Sequence, residues 1–155
     1  MVEQRMAEAA KEYDVYRDSL FRYLGYSNEL GESFRPLIKK SYVHATYGVA
    51  IAYVFADTYD KATKNFQKNK NYVEAVKVGT DVVLWQLLAS VAIPGFTINR
   101  VCWGVQKGIK LAKFRHPIAK WIPTITGLLS IPFIIRPIDK GVDILMDETY
   151  RKYVL

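Results

Sequence analysis

VVLWQLLASVAIPGFTI, residues 82 to 98, is almost wholly apolar: Gln86 is its one strongly polar side chain, Pro94 and Gly95 stand near its end, and Asn99 and Arg100 close it. Coiled as an α-helix it is roughly 25 Å long against a hydrocarbon core of roughly 30 Å, the short edge of spanning length. It reads as a membrane span. Two companions support that reading, Ser41 to Ala56 (SYVHATYGVAIAYVFA) and Trp121 to Ile135 (WIPTITGLLSIPFII), each bounded by charge. The competing reading, buried helices of a soluble α domain, requires polar residues every three or four positions on a water-facing side. Beyond Thr and Ser, none occurs between Trp121 and Ile135. Pro94, Pro123 and Pro132 point the same way, since a proline inside a helix costs about 3 kcal/mol in water and is tolerated better in membranes. Trp103, Trp121, Tyr42 and Tyr59 sit near segment ends, where amphipathic rings prefer the headgroup level.

The expected fold is therefore all-α: one domain over residues 1–155, an integral membrane helical bundle with about three spans (41–56, 82–98 and 121–135), an amphipathic N-terminal region (1–40) and a basic interfacial loop or helix (99–120). Met6, Ala10, Tyr13, Tyr16, Leu20, Tyr23 and Leu24 recur at helical intervals among charged residues, predicting an amphipathic helix that ends at Gly25. Gly31 and Pro36 punctuate the stretch between Gly25 and Ser41, so a short second helix or a turn leads into the first span. Asp57 to Asp81 holds KATKNFQKNKNY and reads as an exposed polar connector. Phe34, Arg35, Pro36, Lys40, Asp60 and Lys61 are echoed about eighty residues later by Phe114, Arg115, Pro117, Lys120, Asp139 and Lys140, either by chance or as a duplicated unit of the kind membrane carriers use. The start, MVEQRMAEAAKEYD, lacks the features of a secretory signal and is too acidic for a cleavable mitochondrial presequence, so any organellar targeting is expected to be internal.

The net charge of +7 is spread unevenly. Met1 to Lys40 carries seven bases and seven acids, Asp57 to Asp81 five and four, and Arg136 to Leu155 four and four, which leaves six units in Asn99 to Lys120. That stretch contains Arg100, Lys107, Lys110, Lys113, Arg115 and Lys120 and no acid. Lys107, Lys110 and Lys113 form one stripe of a helix beside Val105, Ile109, Leu111 and Ala112, so the segment suits anionic headgroups, each base contributing about 1 kcal/mol. Cardiolipin is the candidate lipid; the alternative is a solvated positive-inside loop with no specific lipid. No nucleic acid is expected as a partner, because no reading module accompanies a basic face that lies between two spans.

No nucleophile and base are placed together, and no His or Cys pair has metal-ligand spacing, so neither catalysis nor a metal or cofactor is expected. His44, inside the first span, reads as a hydrogen-bonded packing residue rather than a proton relay. Cys102 reads as a small hydrophobe beside Trp103, and a single cysteine excludes an internal disulfide. Asp57 with Asp60, and Asp139 with Asp143, stand a turn apart at span exits beside lysines and read as solvated helix ends with local ion pairs. Asp81 and Gln86, at the entry of the second span, are candidates to face an aqueous cleft or a partner helix. Pro94 and Gly95 allow two readings: a bend, with the Ser90 hydroxyl re-satisfying the backbone freed by the proline, or a helix end at Pro94.

Tyr16 to Arg35 (YRDSLFRYLGYSNELGESFR), Tyr47 to Lys61 (YGVAIAYVFADTYDK), Trp85 to Cys102 (WQLLASVAIPGFTINRVC) and Gly127 to Asp143 (GLLSIPFIIRPIDKGVD) resemble the mitochondrial fission process protein family, also called the mitochondrial 18 kDa protein. The likeness covers most of the chain from Tyr16 to Leu145 and is weaker before Tyr16 and through Lys61 to Lys77. It implies an integral protein of the mitochondrial inner membrane, needed for division of the organelle, influencing cell viability, and not an enzyme. In that membrane, thirteen bases on the side of the N-terminus and the 99–120 segment, against nine on the other, place the N-terminus in the matrix. The expected partners are the fission machinery or inner-membrane carriers. Two functional classes stay open: a scaffold or adaptor, and a small carrier or modulator of inner-membrane conductance. A polar cavity reaching mid-bilayer from Asp81 favours the second; a closed apolar bundle with an exposed apolar face favours the first.

Overall fold

Long helices account for most of the computed structural model, which describes residues 15–155; no strand occurs among the described residues. Val15–Asp18 (α1), a 3-10 turn over Leu20–Tyr26 and Ser27–Phe34 (α2) lead into Lys40–Asn69 (α3). Tyr72–Gln86 (α4) passes through a π-helical turn, Leu87–Ala92, into Ile93–Leu111 (α5), and Ile122–Glu148 (α6) is followed by Tyr150–Val154 (α7). α3 outruns the apolar stretch it begins with because Asp57 and Asp60 pair one turn on with Lys61 and Lys64, each at 2.7 Å. Lys70, left-handed at φ 53°, closes the helix by donating to the Phe66 carbonyl. The Asn71 side chain then caps α4, accepting from Val73 N–H at 3.0 Å and Glu74 N–H at 3.4 Å. The connector expected over Asp57 to Asp81 is thus reduced to a tight turn at Lys70 and Asn71.

Side-chain neighbours fix how the helices run. Ala62 meets Gly79, Asp57 meets Gln86, Ala50 and Val54 meet Val91, and Tyr47 meets Gly95, so α3 is antiparallel to α4 and α5. Cys102 meets Pro123 and Gly127, Ala89 meets Val142 and Met146, and Asp81 meets Arg151, so α6 and α7 return antiparallel again. α2 is wedged against α3, α5 and α6. Among the described residues the buried apolar side chains form small clusters, Ala50 with Val54 and Val91, and Ala89 with Val142 and Met146. Large apolar side chains point outward instead: Phe96 is 66 %, Leu129 65 % and Phe133 79 % exposed. Lipid, unlike water, exerts no penalty on such a surface.

Two helices are long and apolar enough to cross a bilayer, Tyr72–Leu111 with 40 residues and Ile122–Val154 with 33; the first holds the expected span 82–98 and the second the expected span 121–135 from Ile122 onward, Trp121 standing just before it. The expected span 41–56 lies in α3, which does not reach that combination, because Tyr42, His44, Thr46, Tyr47 and Tyr53 dilute its apolar character; two candidate spans stand where about three were expected. His44 is exposed rather than packed. The N-terminal amphipathic helix does not run to Gly25: Ser19 interrupts it, capping the 3-10 turn by accepting from Phe21 N–H at 3.1 Å, and Leu20 and Tyr23 are exposed. Met6, Ala10 and Tyr13 lie outside the described residues. Nor does a helix end at Pro94. The proline stands in the first turn of α5 directly after the π turn, where Ile93 N–H reaches back to the Leu88 carbonyl and the longer register accommodates the donor that proline lacks. The 99–120 segment is helical as far as Leu111, and the loop proper is 112–121 with a 3-10 turn at Pro117–Lys120.

Candidate functional site

SNELGESF is a polar helix whose Asn28, Glu29, Glu32 and Ser33 share one face. That face is the buried one: Asn28, Glu29 and Ser33 have no exposed surface, and Glu32 has 2 %. Such burial is tolerated only with partners. Asn28 Nδ2 donates to the Val91 carbonyl at 3.0 Å, and the Ser27 hydroxyl to the Thr46 carbonyl at 2.9 Å. Glu32 receives the Arg35 guanidinium on both oxygens at 2.6 and 2.7 Å, the Tyr47 hydroxyl at 2.9 Å and the Asn99 amide at 2.9 Å. Burial works to raise the Glu32 carboxyl, and these donors outweigh it, holding the group below the usual carboxylate range. Glu29 has no such donors. Neither of its carboxyl oxygens has a hydrogen-bond partner, and burial pushes it up to about 8.

Toward the α3–α4 turn the space beside the wedge opens into a cavity of about 470 Å³, lined by Arg22, Asp81, Gln86, Asp139, Asp143 and Arg151 together with tyrosine and tryptophan rings. Arg151 closes one side, its Nε 2.7 Å from Asp81 and its Nη1 3.2 Å from Asp143 and 2.9 Å from Asp147. Trp85 Nε1 donates to Asp143 at 2.8 Å. Gln86 Nε2 donates to Asp57 at 2.7 Å, and the Ser90 hydroxyl donates to Gln86 Oε1 at 2.8 Å rather than to a backbone carbonyl. Asp57 is therefore a fully buried group held by Lys61 and Gln86, not a solvated helix end.

At the opposite end, Arg100, Lys107, Lys110, Lys113, Arg115 and Lys120 are all exposed, as are Lys39 and Lys40 at the start of α3. The Arg100 guanidinium lies 5.6 Å from the Phe96 ring centre and 5.4 Å from that of Trp103, which also carries Lys107 Nζ at 4.9 Å. No cluster of His, Cys, Asp and Glu that could hold a metal occurs among the described residues.

Of the residues singled out in the sequence, Asp81 and Gln86 line the cavity, while Pro94 and Gly95 are buried, Gly95 beside Tyr47 and Asn28. The basic residues stand apart from both. Asn28, Glu29, Glu32 and Arg151 escaped the sequence reading. The signal for the first three was present: a polar stripe at one, two, five and six residues into Ser27–Phe34 with Leu30 on the other side.

The chain matches the family model described as Mitochondrial 18 KDa protein over residues 4–81 and 60–146. It is similar to a Danio rerio protein named Mitochondrial fission process protein 1, 46 % identical over 149 residues that cover 92 % of this chain and 90 % of that one. The Homo sapiens protein of the same name is 49 % identical over 148 residues, with 91 % and 88 % covered. That of Caenorhabditis elegans is 45 % identical over 148 residues, with 90 % and 87 % covered. No solved structure matches the chain.

Proposed function

Since the chain belongs to the mitochondrial 18 KDa protein family, we propose that it is a mitochondrial membrane protein that acts in fission of the organelle, as the names of its relatives describe. It works in the inner membrane as a multi-pass scaffold or adaptor without a catalytic step, its N-terminus and basic end in the matrix and its partners the fission machinery or inner-membrane carriers. The observation that carries this reading is the outer surface. Phe96, Leu129 and Phe133 face outward as a lipid-exposed belt, half-exposed Trp103 and Trp121 mark its edge with Arg100 held between the Phe96 and Trp103 rings, and Lys107, Lys110, Lys113, Arg115 and Lys120 lie beyond it, where anionic headgroups such as cardiolipin sit. α3 crosses beside α4 and α5 as a third span, with Tyr47 turned toward α2 and Tyr53 toward the cavity, while Tyr42 and His44 lie exposed near its start. Depleting the protein from cells and restoring it tests the role: mitochondria elongate on loss and regain normal length on re-expression. Unchanged morphology on loss overturns it.

A second reading, a carrier or a modulator of inner-membrane conductance, draws on the cavity, whose polar lining extends from Asp81 to Ser90.

A further inference from the structure

The polar groups of the cavity and of the wedge form one line. From Asp81, Asp143 and Arg151 the cavity extends past Gln86 to Ser90. Val91, the next residue, offers its carbonyl to Asn28, the neighbour of Glu29. One turn further, α2 carries Glu32, held by Tyr47, Asn99 and Arg35. Along the continuous helix, Asp81 to Asn99 covers roughly 27 Å, close to a hydrocarbon thickness of about 30 Å. Near its middle sit buried acceptors without a partner, Asn28 Oδ1 and both oxygens of Glu29.

We propose that this seam is a proton pathway, in which Glu29 is the buried carboxyl that takes up and releases the proton. The inference rests on the carrier or conductance reading, that the cavity serves passage across the membrane, and gives that passage its substrate. A proton fits better than a solute because the open space stops near Ser90. Beyond it Asn28, Glu29 and Ser33 are fully buried and fill the seam, which bars a molecule or a hydrated ion, whereas a proton needs hydrogen-bonding groups and an occasional water between them. A proton from cavity water forms the O–H bond of the Glu29 carboxyl, and the same bond breaks when the proton leaves to water at the Arg35 end, restoring the carboxylate; nothing else is consumed. Asp139 from α6 acts on Glu29, which in turn acts on the Tyr47 hydroxyl from α3, while α5 turns the uncharged Gly95, Asn99 and Cys102 toward α2, and the preceding turn brings Arg22 and Tyr26 to the cavity. Burial first, and Asp139 after it, favour the protonated form and bring Glu29 to about 8, within reach of exchange near neutral pH.

The test reconstitutes the purified full chain in phosphatidylcholine and phosphatidylglycerol vesicles loaded with the pH dye pyranine, with proton entry driven by a valinomycin-set potassium potential. Currents carried by K⁺ and Cl⁻ at equal pH are recorded in planar bilayers of the same lipids. Proton entry is expected at least tenfold above that of protein-free vesicles, largely lost in Glu29→Gln and partly kept in Glu29→Asp, with helix content and thermal midpoint showing that both variants fold. Entry at the protein-free rate overturns the proposal whatever the variants do, and so does equal entry in the wild type and a folded Glu29→Gln. In either case a protein-dependent K⁺ or Cl⁻ current leaves the conductance reading standing without the proton pathway. Entry at the protein-free rate with no such current brings down both.

Discussion

Glu29 and Glu32 occupy the same face of one short helix, yet their surroundings move them in opposite directions, and stability should record the difference. The folded protein raises Glu29 from its ordinary value of 4.5 to about 8, so between those values the folded state keeps a proton that the unfolded chain gives up. Stability from this group is full below pH 4.5, falls as pH rises toward about 8 and is level above it. Glu32 has the reverse sign: its contribution is present above the ordinary carboxylate range and is lost as pH falls through its lowered value. Between mildly acidic and mildly alkaline pH only Glu29 titrates of the two. In detergent micelles the thermal midpoint is therefore expected to drop by several degrees between pH 5 and pH 8.5, and Glu29→Gln to flatten that slope, since up to a few kcal/mol is at stake. Equal slopes in both proteins would refute the assignment. These acids were hidden in the sequence because a carboxylate near an amphipathic stretch is assigned to water by default. What reverses that default is the docking of α2 among three other helices, and no local spacing records it. Asp81 and Gln86 were legible for the opposite reason: they stand against an apolar background, where a polar group needs an explanation.

The seating of α2 is itself a property of elements, and glycines mark where it comes closest. A Cβ on Gly127 of α6 would stand 2.8 Å from Cys102 Sγ, 2.9 Å from Ser33 Oγ and 3.2 Å from Ser33 Cα, so backbone as well as side chains would have to yield. Gly127→Ala is expected to destabilise the fold by about 1–3 kcal/mol. Gly104→Ala, on a helix face with nothing within 4 Å, is expected to be neutral or to stabilise by up to about 1 kcal/mol through helix propensity. Thermal midpoints in one detergent compare them, and a loss as large at Gly104 as at Gly127 would contradict the close-packed wedge. The bases at the end of α5 make a different prediction: Lys107 and Lys110 share its exposed face, while Lys113, expected on the same helical stripe, stands past the helix end at φ 53°. Changing Lys107, Lys110 and Lys113 to Glu turns three attractive charges into repulsive ones, each worth about 1 kcal/mol near an anionic surface. Cardiolipin retained per protein through purification in mild detergent should fall severalfold without loss of helix content; unchanged retention removes the lipid role. At this scale the helices of the second and third spans were legible from apolarity alone, and the lysine-rich connector was not. Lys, Ala and Gln are good helix formers, and the pairs Asp57–Lys61 and Asp60–Lys64 carry α3 onward, so polarity there marks an exposed helix rather than a loop.

How the apolar runs stack across the molecule is set by packing register, which the sequence does not display. Cys102 lies level with Gly127 and Ala89 with Val142, so the run 121–135 is offset along the bundle from the run 82–98, and Asp139 and Asp143 come level with apolar residues of the latter, at the cavity. α3 accompanies the second long helix from Tyr47 beside Gly95 to Ala62 beside Gly79, which makes the number of crossings an experimental question with a sharp readout. If α3, the Tyr72–Leu111 helix and the Ile122–Val154 helix all cross, the two termini lie on opposite sides; if only the latter two cross, they lie on the same side. The proposed orientation holds the basic end, 99–120 with Lys39 and Lys40, in the matrix, and the N-terminus with it. Protease added to mitoplasts should then remove a C-terminal tag and spare an N-terminal one, while the protein itself resists extraction by alkaline carbonate. Loss of the N-terminal tag alone would reverse the orientation. Tags lost or spared together would reduce the crossings to two, and would leave α3 packed on the bundle without traversing the bilayer.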